Sequence, residues 1–185
     1  GETGYCKTGR KAVVASYNAH YGEEEPLVGR NGSGTIFFSH CSLLCIFCQN
    51  YEISHRGEGH DMDDDELAAV MLELQREGCH NINLVTPTHV MPNILNATLI
   101  ACQKGLRLPL VYNTSGYECE EMLKDLDGVV DIYLPDMKYM DAEKAAQYSS
   151  GADDYPILAQ KAILDGIVHP DVSAATSREI ALIQK

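Results

Sequence analysis

The stretch Thr35-Ile36-Phe37-Phe38-Ser39-His40-Cys41-Ser42-Leu43-Leu44-Cys45-Ile46-Phe47-Cys48-Gln49-Asn50 joins an apolar run to a polar loop that carries three cysteines. Thr35–Phe38 reads as a buried strand, because a short run of β-branched and aromatic residues packs best on a pleated surface. The loop has the spacing C-x3-C-x2-C over Cys41, Cys45 and Cys48. Three thiolates on one short loop can wrap a cube of iron and sulfide. A [4Fe–4S] cluster has four irons, each normally taking a cysteine thiolate. Three cysteines leave one iron open, and an open metal position is where chemistry takes place. Two other accounts stand beside this one. The cysteines can be buried structural thiols, or they can bind zinc with His40, His55, His60 or Cys79 as fourth ligand. The usual zinc spacing of two separated C-x2-C-type pairs is absent.

Upstream, residues 1–34 are Gly-rich and polar, with an acidic run Glu23-Glu24-Glu25 and a turn Asn31-Gly32-Ser33-Gly34. They are expected to be mostly irregular, with a short strand near Val13–Ser16. Downstream, helix and strand signals alternate. Asp63 with Glu66 forms a capping-box-like start. Leu67, Val70, Met71 and Leu74 then recur on one helical face, and Gly78 sits where a C-terminal cap belongs. Ile82–Val85 is the next strand, ended by Thr86-Pro87. Pro92 opens a second helix, expected to bury Leu95, Leu99 and Cys102, and Gly105 closes it. A third strand is expected at Leu108–Tyr112 and a third helix at about Glu118–Leu126. A fourth strand follows at Val129–Leu134, with helical material at Ala142–Tyr148 and Pro156–Asp165. This alternation predicts an α/β fold with a parallel sheet. In such sheets the chemistry lies at the C-terminal strand ends. Here those ends are His40–Cys48, Thr86–His89, Asn113–Gly116 and Asp136–Lys138.

The 185 residues suit one domain with a small appendage. Lys+Arg is 14 and Asp+Glu is 27, so the formal net charge is 14 − 27 = −13. That balance argues against nucleic acid or an anionic membrane as partner, since both need clustered Lys and Arg. No run approaches the roughly 20 apolar residues of a membrane span, and no signal-peptide h-region stands at the start. The seven cysteines are odd in number and three of them cluster, which does not fit a secreted disulfide framework. A reducing, cytoplasmic setting is expected.

The C-x3-C-x-aromatic-C loop after a first strand resembles the radical S-adenosylmethionine (SAM) superfamily. Three further segments narrow the resemblance: Asn81–Leu95, Leu108–Glu118 and Val129–Tyr139. With Gly32–Ser54 they are similar to iron–sulfur proteins related to pyruvate formate-lyase activating enzyme, the PflX type, over about residues 4–164. The resemblance implies a partial (β/α) barrel of parallel strands, a [4Fe–4S] cluster on Cys41, Cys45 and Cys48, and SAM as the second cofactor. Reductive cleavage of SAM would give methionine and a 5′-deoxyadenosyl radical for hydrogen abstraction. Implied partners are an electron donor such as flavodoxin or ferredoxin, and a glycyl-radical enzyme or other polypeptide substrate. A radical enzyme modifying a peptide or small metabolite is a second reading. A non-catalytic iron–sulfur or zinc-binding fragment is a third.

The same resemblance suggests cofactor-binding residues. Phe47 holds the aromatic position that lies against adenine in the family; alternatively it is a strand-end core aromatic. Asp136 and Lys138 match a D-x-K at the fourth strand end, where a lysine can meet the cofactor carboxylate as a point charge; the alternative is a local ion pair. Asn113 and Thr114 stand where the activating enzyme has an Asp-Thr pair. Thr86 and Thr88 occupy the place of the Gly-Gly-Glu segment that receives the cofactor amino group. His89 faces substrate or is structural.

Two departures stand out. His40 sits where related sequences carry Gly, and its Cβ would crowd the loop if the position needs a positive φ. The resemblance stops near Leu164, so the chain divides into an N-terminal segment 1–34, the partial barrel 35–164 and a divergent tail 165–185. The barrel is expected to fall short of six parallel strands. One short strand near Ile167–Val168 and one helix over about Ser177–Gln184 are expected in the tail.

Overall fold

The computed structural model describes residues 4–166, so the strand and helix expected at Ile167–Val168 and Ser177–Gln184 lie outside the described residues. Among the described residues a six-stranded sheet has the order β3-β1-β2-β4-β5-β6. The strands are β1 Ala12–His20, β2 Ser33–Phe38, β3 His60–Met62, β4 Ile82–Val85, β5 Leu110–Thr114 and β6 Ile132–Pro135. β2, β4, β5 and β6 are parallel neighbours. They are the four strands expected from the apolar runs. β1 pairs antiparallel with both β2 and β3.

Register places the residues by face. Ile36, Leu84, Tyr112 and Tyr133 align across the four parallel strands. They face the helices: Ile36 and Leu84 enter the main core with Leu67, Met71 and Leu74, while Tyr112 packs with Met91, Leu123 and Leu126. The next row, Phe37, Val85, Asn113 and Leu134, points to the opposite side because side chains alternate along a strand.

The helices are α1 Glu25–Val28, α2 Tyr51–Ser54, α3 Asp64–Arg76, α4 Met91–Gln103, α5 Glu120–Asp125, α6 Ala142–Tyr148 and α7 Tyr155–Lys161. α3 starts with the expected capping box: Asp63 accepts from the Glu66 amide, and Glu66 accepts from the Asp63 amide. α4 buries Leu95 in part, as expected, but not Leu99 and Cys102. Met91, Ile94, Ala97, Thr98 and Ala101 are buried, while Leu99 is 60% exposed and Cys102 is on the surface. The helix is apolar on two sides, and the small side chains Ala97 and Ala101 let it lie close to its neighbours in the core.

Two more expectations are corrected. Residues 1–34, expected to be mostly irregular, contain the nine-residue β1, which includes the strand expected near Val13–Ser16, and the short α1. β5 and β6 begin two or three residues later than Leu108 and Val129, which pack partly buried at the margin of the core. Asn113 and Thr114 thus end β5 and do not follow it. Within β2, Gly34 permits a close backbone approach. It donates to the Asn81 carbonyl at 3.0 Å, and a Cβ there would lie 2.6 Å from that oxygen.

Candidate functional site

The cysteine loop leaves the C-terminal end of β2 and is held at both ends. The Ser39 amide donates to the Val13 carbonyl, and the His40 amide donates to the Ile53 carbonyl. His40 has φ 69°, the left-handed conformation that glycine takes without strain. Its Cβ is accommodated because the imidazole turns onto Gly57. Burial, followed by the Lys7 charge, lowers the His40 pKa.

Cys41, Cys45 and Cys48 are all free thiols, with Cys45 buried. Each sulfur has a hydrogen-bond donor. The Leu43 amide lies 3.4 Å from Cys41 Sγ, the Ser149 hydroxyl 3.1 Å from Cys45 Sγ, and the Ser54 hydroxyl 3.3 Å from Cys48 Sγ. Burial pushes the Cys41 thiol pKa up. The Leu43 and Leu44 amides work against that rise, and the neighbouring Cys45 and Cys48 add to it. Metal binding replaces those protons with positive charge and removes the penalty.

The three cysteines can serve either metal alternative, zinc with a fourth ligand or an iron–sulfur cluster. Zinc needs its ligands to converge on one ion. Cys79 is in the sheet–helix core and His60 is exposed on β3. A four-iron cube places each thiolate on its own iron, so its sulfurs stand apart around one volume. Three free thiols on one loop, each offered a hydrogen bond, fit that group.

The other strand ends surround this loop. At the end of β6, Lys138 Nζ lies 2.7 Å from Asp136 Oδ2. Burial works to lower the Lys138 pKa, but the hydrogen bond and charge of Asp136 outweigh it, with Cys45 and Tyr155 adding, and the pKa is raised. Lys138 is therefore cationic and electrostatically linked to the cysteine loop. Tyr155 fixes its backbone: the Tyr155 hydroxyl accepts from the Lys138 amide at 2.8 Å and faces the Ser115 and Asp136 carbonyls at 2.7 and 2.9 Å. Phe47 is not a core aromatic. It is 57% exposed and meets Tyr139 edge-on at 6.2 Å.

The threonines divide. Thr86 has φ 58°, an unusual value for a β-branched residue, and its amide donates to the Asn113 carbonyl. Thr88 and Thr114 both donate their hydroxyls to Glu118 Oε1, with the Tyr112 hydroxyl near Oε2 at 3.5 Å. Thr114 shares the helix-facing side of β5 with Tyr112, while Asn113 faces the opposite side. Glu118 is buried at 5% exposure, and burial raises its pKa against the three hydroxyl bonds. His89 donates through Nε2 to the Ser39 carbonyl at 2.7 Å, while its Nδ1 is buried without a partner. Burial lowers its pKa.

A groove of about 340 Å³ is lined by Ser16, Phe37, Gln49, Asn50, Glu52 and Ile53. It adjoins the loop directly after Cys48. Glu118, Ser149 and Tyr139 were not identified from the sequence. Glu118 lay within a recognised segment, but nothing local distinguishes a buried glutamate from a helix-start carboxylate. Ser149 lies 104 positions from the cysteine it touches.

The family model of the radical SAM superfamily matches residues 35–154. The chain is also 29% identical over 172 residues to the uncharacterised protein MJ0674 of Methanocaldococcus jannaschii. That alignment covers 88% of the chain and 48% of the relative, so the chain spans about half of the length of that protein.

Proposed function

The chain belongs to the radical SAM superfamily, whose cofactors are a [4Fe–4S] cluster and S-adenosylmethionine, and on that premise we propose that Cys41, Cys45 and Cys48 hold the cluster in an enzyme that cleaves SAM reductively. The observation that carries the assignment is the set of three free thiols on one strand-end loop, each offered a hydrogen bond.

When bound and reduced, the cluster supplies the electron that splits SAM into methionine and a 5′-deoxyadenosyl radical, which takes a hydrogen atom from substrate. The chain's own residues bind, orient and exclude water. Lys138 offers its charge to the methionine carboxylate, and Asp136 keeps that ammonium protonated and in place. Asn113 and the Thr86 hydroxyl are offered as polar contacts at the β5 and β4 ends. Thr88 and Thr114 act at one remove: through Glu118 they fix the relative positions of those two strand ends. Phe47, exposed beside Tyr139, presents a face for the adenine.

Glycyl-radical activation is the finer reading. The four segments that resemble pyruvate formate-lyase activating enzyme support it, with flavodoxin or ferredoxin as electron donor in the cytoplasm. Among the described residues no helix is long and apolar enough to cross a membrane. A glycyl radical detected by electron paramagnetic resonance on a polypeptide target would support activation. Radical modification of a peptide or small metabolite predicts SAM cleavage without that signal.

The test of the broad reading is anaerobic reconstitution with iron and sulfide, reduction, and addition of SAM. The expected result is about four irons and four sulfides per chain, with 5′-deoxyadenosine formed. Cys41→Ala, Cys45→Ala and Cys48→Ala should each lose the cluster, while Cys102→Ala on the exposed side of α4 should keep it. Bound zinc in place of iron, or iron retained in the Cys45→Ala variant and lost in Cys102→Ala, would overturn the assignment.

A further inference from the structure

We propose that Tyr139 and Ser149 form a hydroxyl relay that sets the reduction potential of the iron–sulfur centre, acting through the sulfur of Cys45. The inference rests on the ligand assignment above. Ser149 is the residue at which α6 ends. It is 1% exposed, and its amide donates to the Ala145 carbonyl at 2.9 Å, so the backbone that carries the hydroxyl is fixed. The same helix end is tied to the cysteine loop by the Ile46 amide, which donates to the Tyr148 carbonyl at 2.9 Å. The hydroxyl lies 3.1 Å from Cys45 Sγ and 2.8 Å from the Tyr139 hydroxyl.

Proton arithmetic gives the relay its direction. A serine hydroxyl has one proton. With that proton directed at Cys45 Sγ, the bond to Tyr139 is made by the tyrosine proton, donated to Ser149 Oγ. Tyr139 is itself held between two aromatic edges, Tyr155 at 5.5 Å and Phe47 at 6.2 Å. The ordered sequence is Tyr139 to Ser149 to Cys45. Each bond polarises the next, and the buried surroundings strengthen both.

A hydrogen bond to a ligating sulfur favours the more electron-rich, reduced state of the cluster, and so raises its potential. Cys48 has a weaker counterpart. The Ser54 hydroxyl lies 3.3 Å from Cys48 Sγ, but at 2.8 Å the His55 ring nitrogen also engages it. Cys45 is the more buried of these two cysteines, so its donor governs more of the tuning.

The test is a potentiometric titration followed by electron paramagnetic resonance on the reconstituted protein and on Ser149→Ala and Tyr139→Phe, with iron and sulfide counted for each. Ser149→Ala should shift the potential to a lower value with the full cluster retained. Tyr139→Phe, which leaves the serine proton available but less well oriented, should shift it the same way by less. A Ser149→Ala protein with its full cluster and an unchanged or higher potential would overturn the relay. If Ser149→Ala assembles no cluster, Tyr139→Phe decides: a lower potential supports the relay and an unchanged one overturns it. Failure of the unaltered protein to assemble a cluster overturns the ligand assignment, and the relay with it. That failure is read as iron content and not as potential.

Discussion

Replacing Tyr155 by Phe deletes one oxygen and retains the ring packing. The side chain is fully buried, and its hydroxyl joins three points of the chain. It accepts from the Lys138 amide at 2.8 Å and shares its proton between the Ser115 and Asp136 carbonyls. Phe leaves that amide without its partner and both carbonyls without their donor. Counting one bond to the amide and one shared by the carbonyls, at about 1 kcal/mol net for each, the loss is about 2 kcal/mol. For a chain of this size that lowers Tm by about 4–8 °C. Thermal melts of the anaerobically reconstituted protein and of the variant measure it. The effect should extend to the site, because the amide set free is that of Lys138, and SAM affinity should fall in equilibrium dialysis. A Tm within about 1 °C of the parent would refute the view that this hydroxyl ties the β5 and β6 ends together.

Thr86→Gly removes a β-branched side chain from φ 58°. Relief of about 1–3 kcal/mol of backbone strain, less about 0.5–1 kcal/mol for the freer unfolded glycine, predicts a higher Tm, and a lower one would show that Thr86 is unstrained. Gly34→Ala drives a Cβ to 2.6 Å from the Asn81 carbonyl oxygen and should cost more than about 2 kcal/mol; urea unfolding with an unchanged midpoint would contradict the close approach of β2 to its neighbour. Glu118 should make stability fall as pH rises. Burial raises its folded pKa, so between the ordinary glutamate value and that raised value the folded state holds a proton that the unfolded state has released. Glu118→Gln should flatten this part of the stability–pH curve, and identical curves for variant and parent would exclude the effect.

The parts of the fold that were legible in the sequence are those with one dominant local cause. The Asp63–Glu66 capping box is a four-residue signal, and its two bonds form as expected. The four parallel strands are short apolar runs, and they appear in sequence order in one sheet. Elements with a distributed cause were not legible. β3 is His60-Asp61-Met62, with no apolar run, and it is a strand because β1 offers it a free edge. The buried stripe of α4 depends on which side of the helix meets α3, and either of its apolar stripes satisfies the periodicity. The same holds for the site. The cysteine spacing is local and could be read. The commitment of Thr88 and Thr114 to Glu118 depends on strand register, which sends adjacent residues of β5 to opposite faces. His40 lies between these cases: the crowding expected at a positive φ was readable, but its accommodation over Gly57 was not.

The strand that delivers the cysteine loop is an interior strand. β2 has β1 on one side and β4 on the other, so its backbone is released only when two ladders part together. Opening of that kind belongs to global unfolding, whereas a loop without a ladder opens locally at much lower free energy. Residues 41–50 contain no strand. If Cys41, Cys45 and Cys48 hold the cluster as proposed, loading of iron and sulfide is expected to adjust one loop on a sheet that has already formed, unlike the small zinc domains that wait for their metal before folding. On that reading, loss of the metal would undo the setting of one loop and leave the sheet beneath it in place.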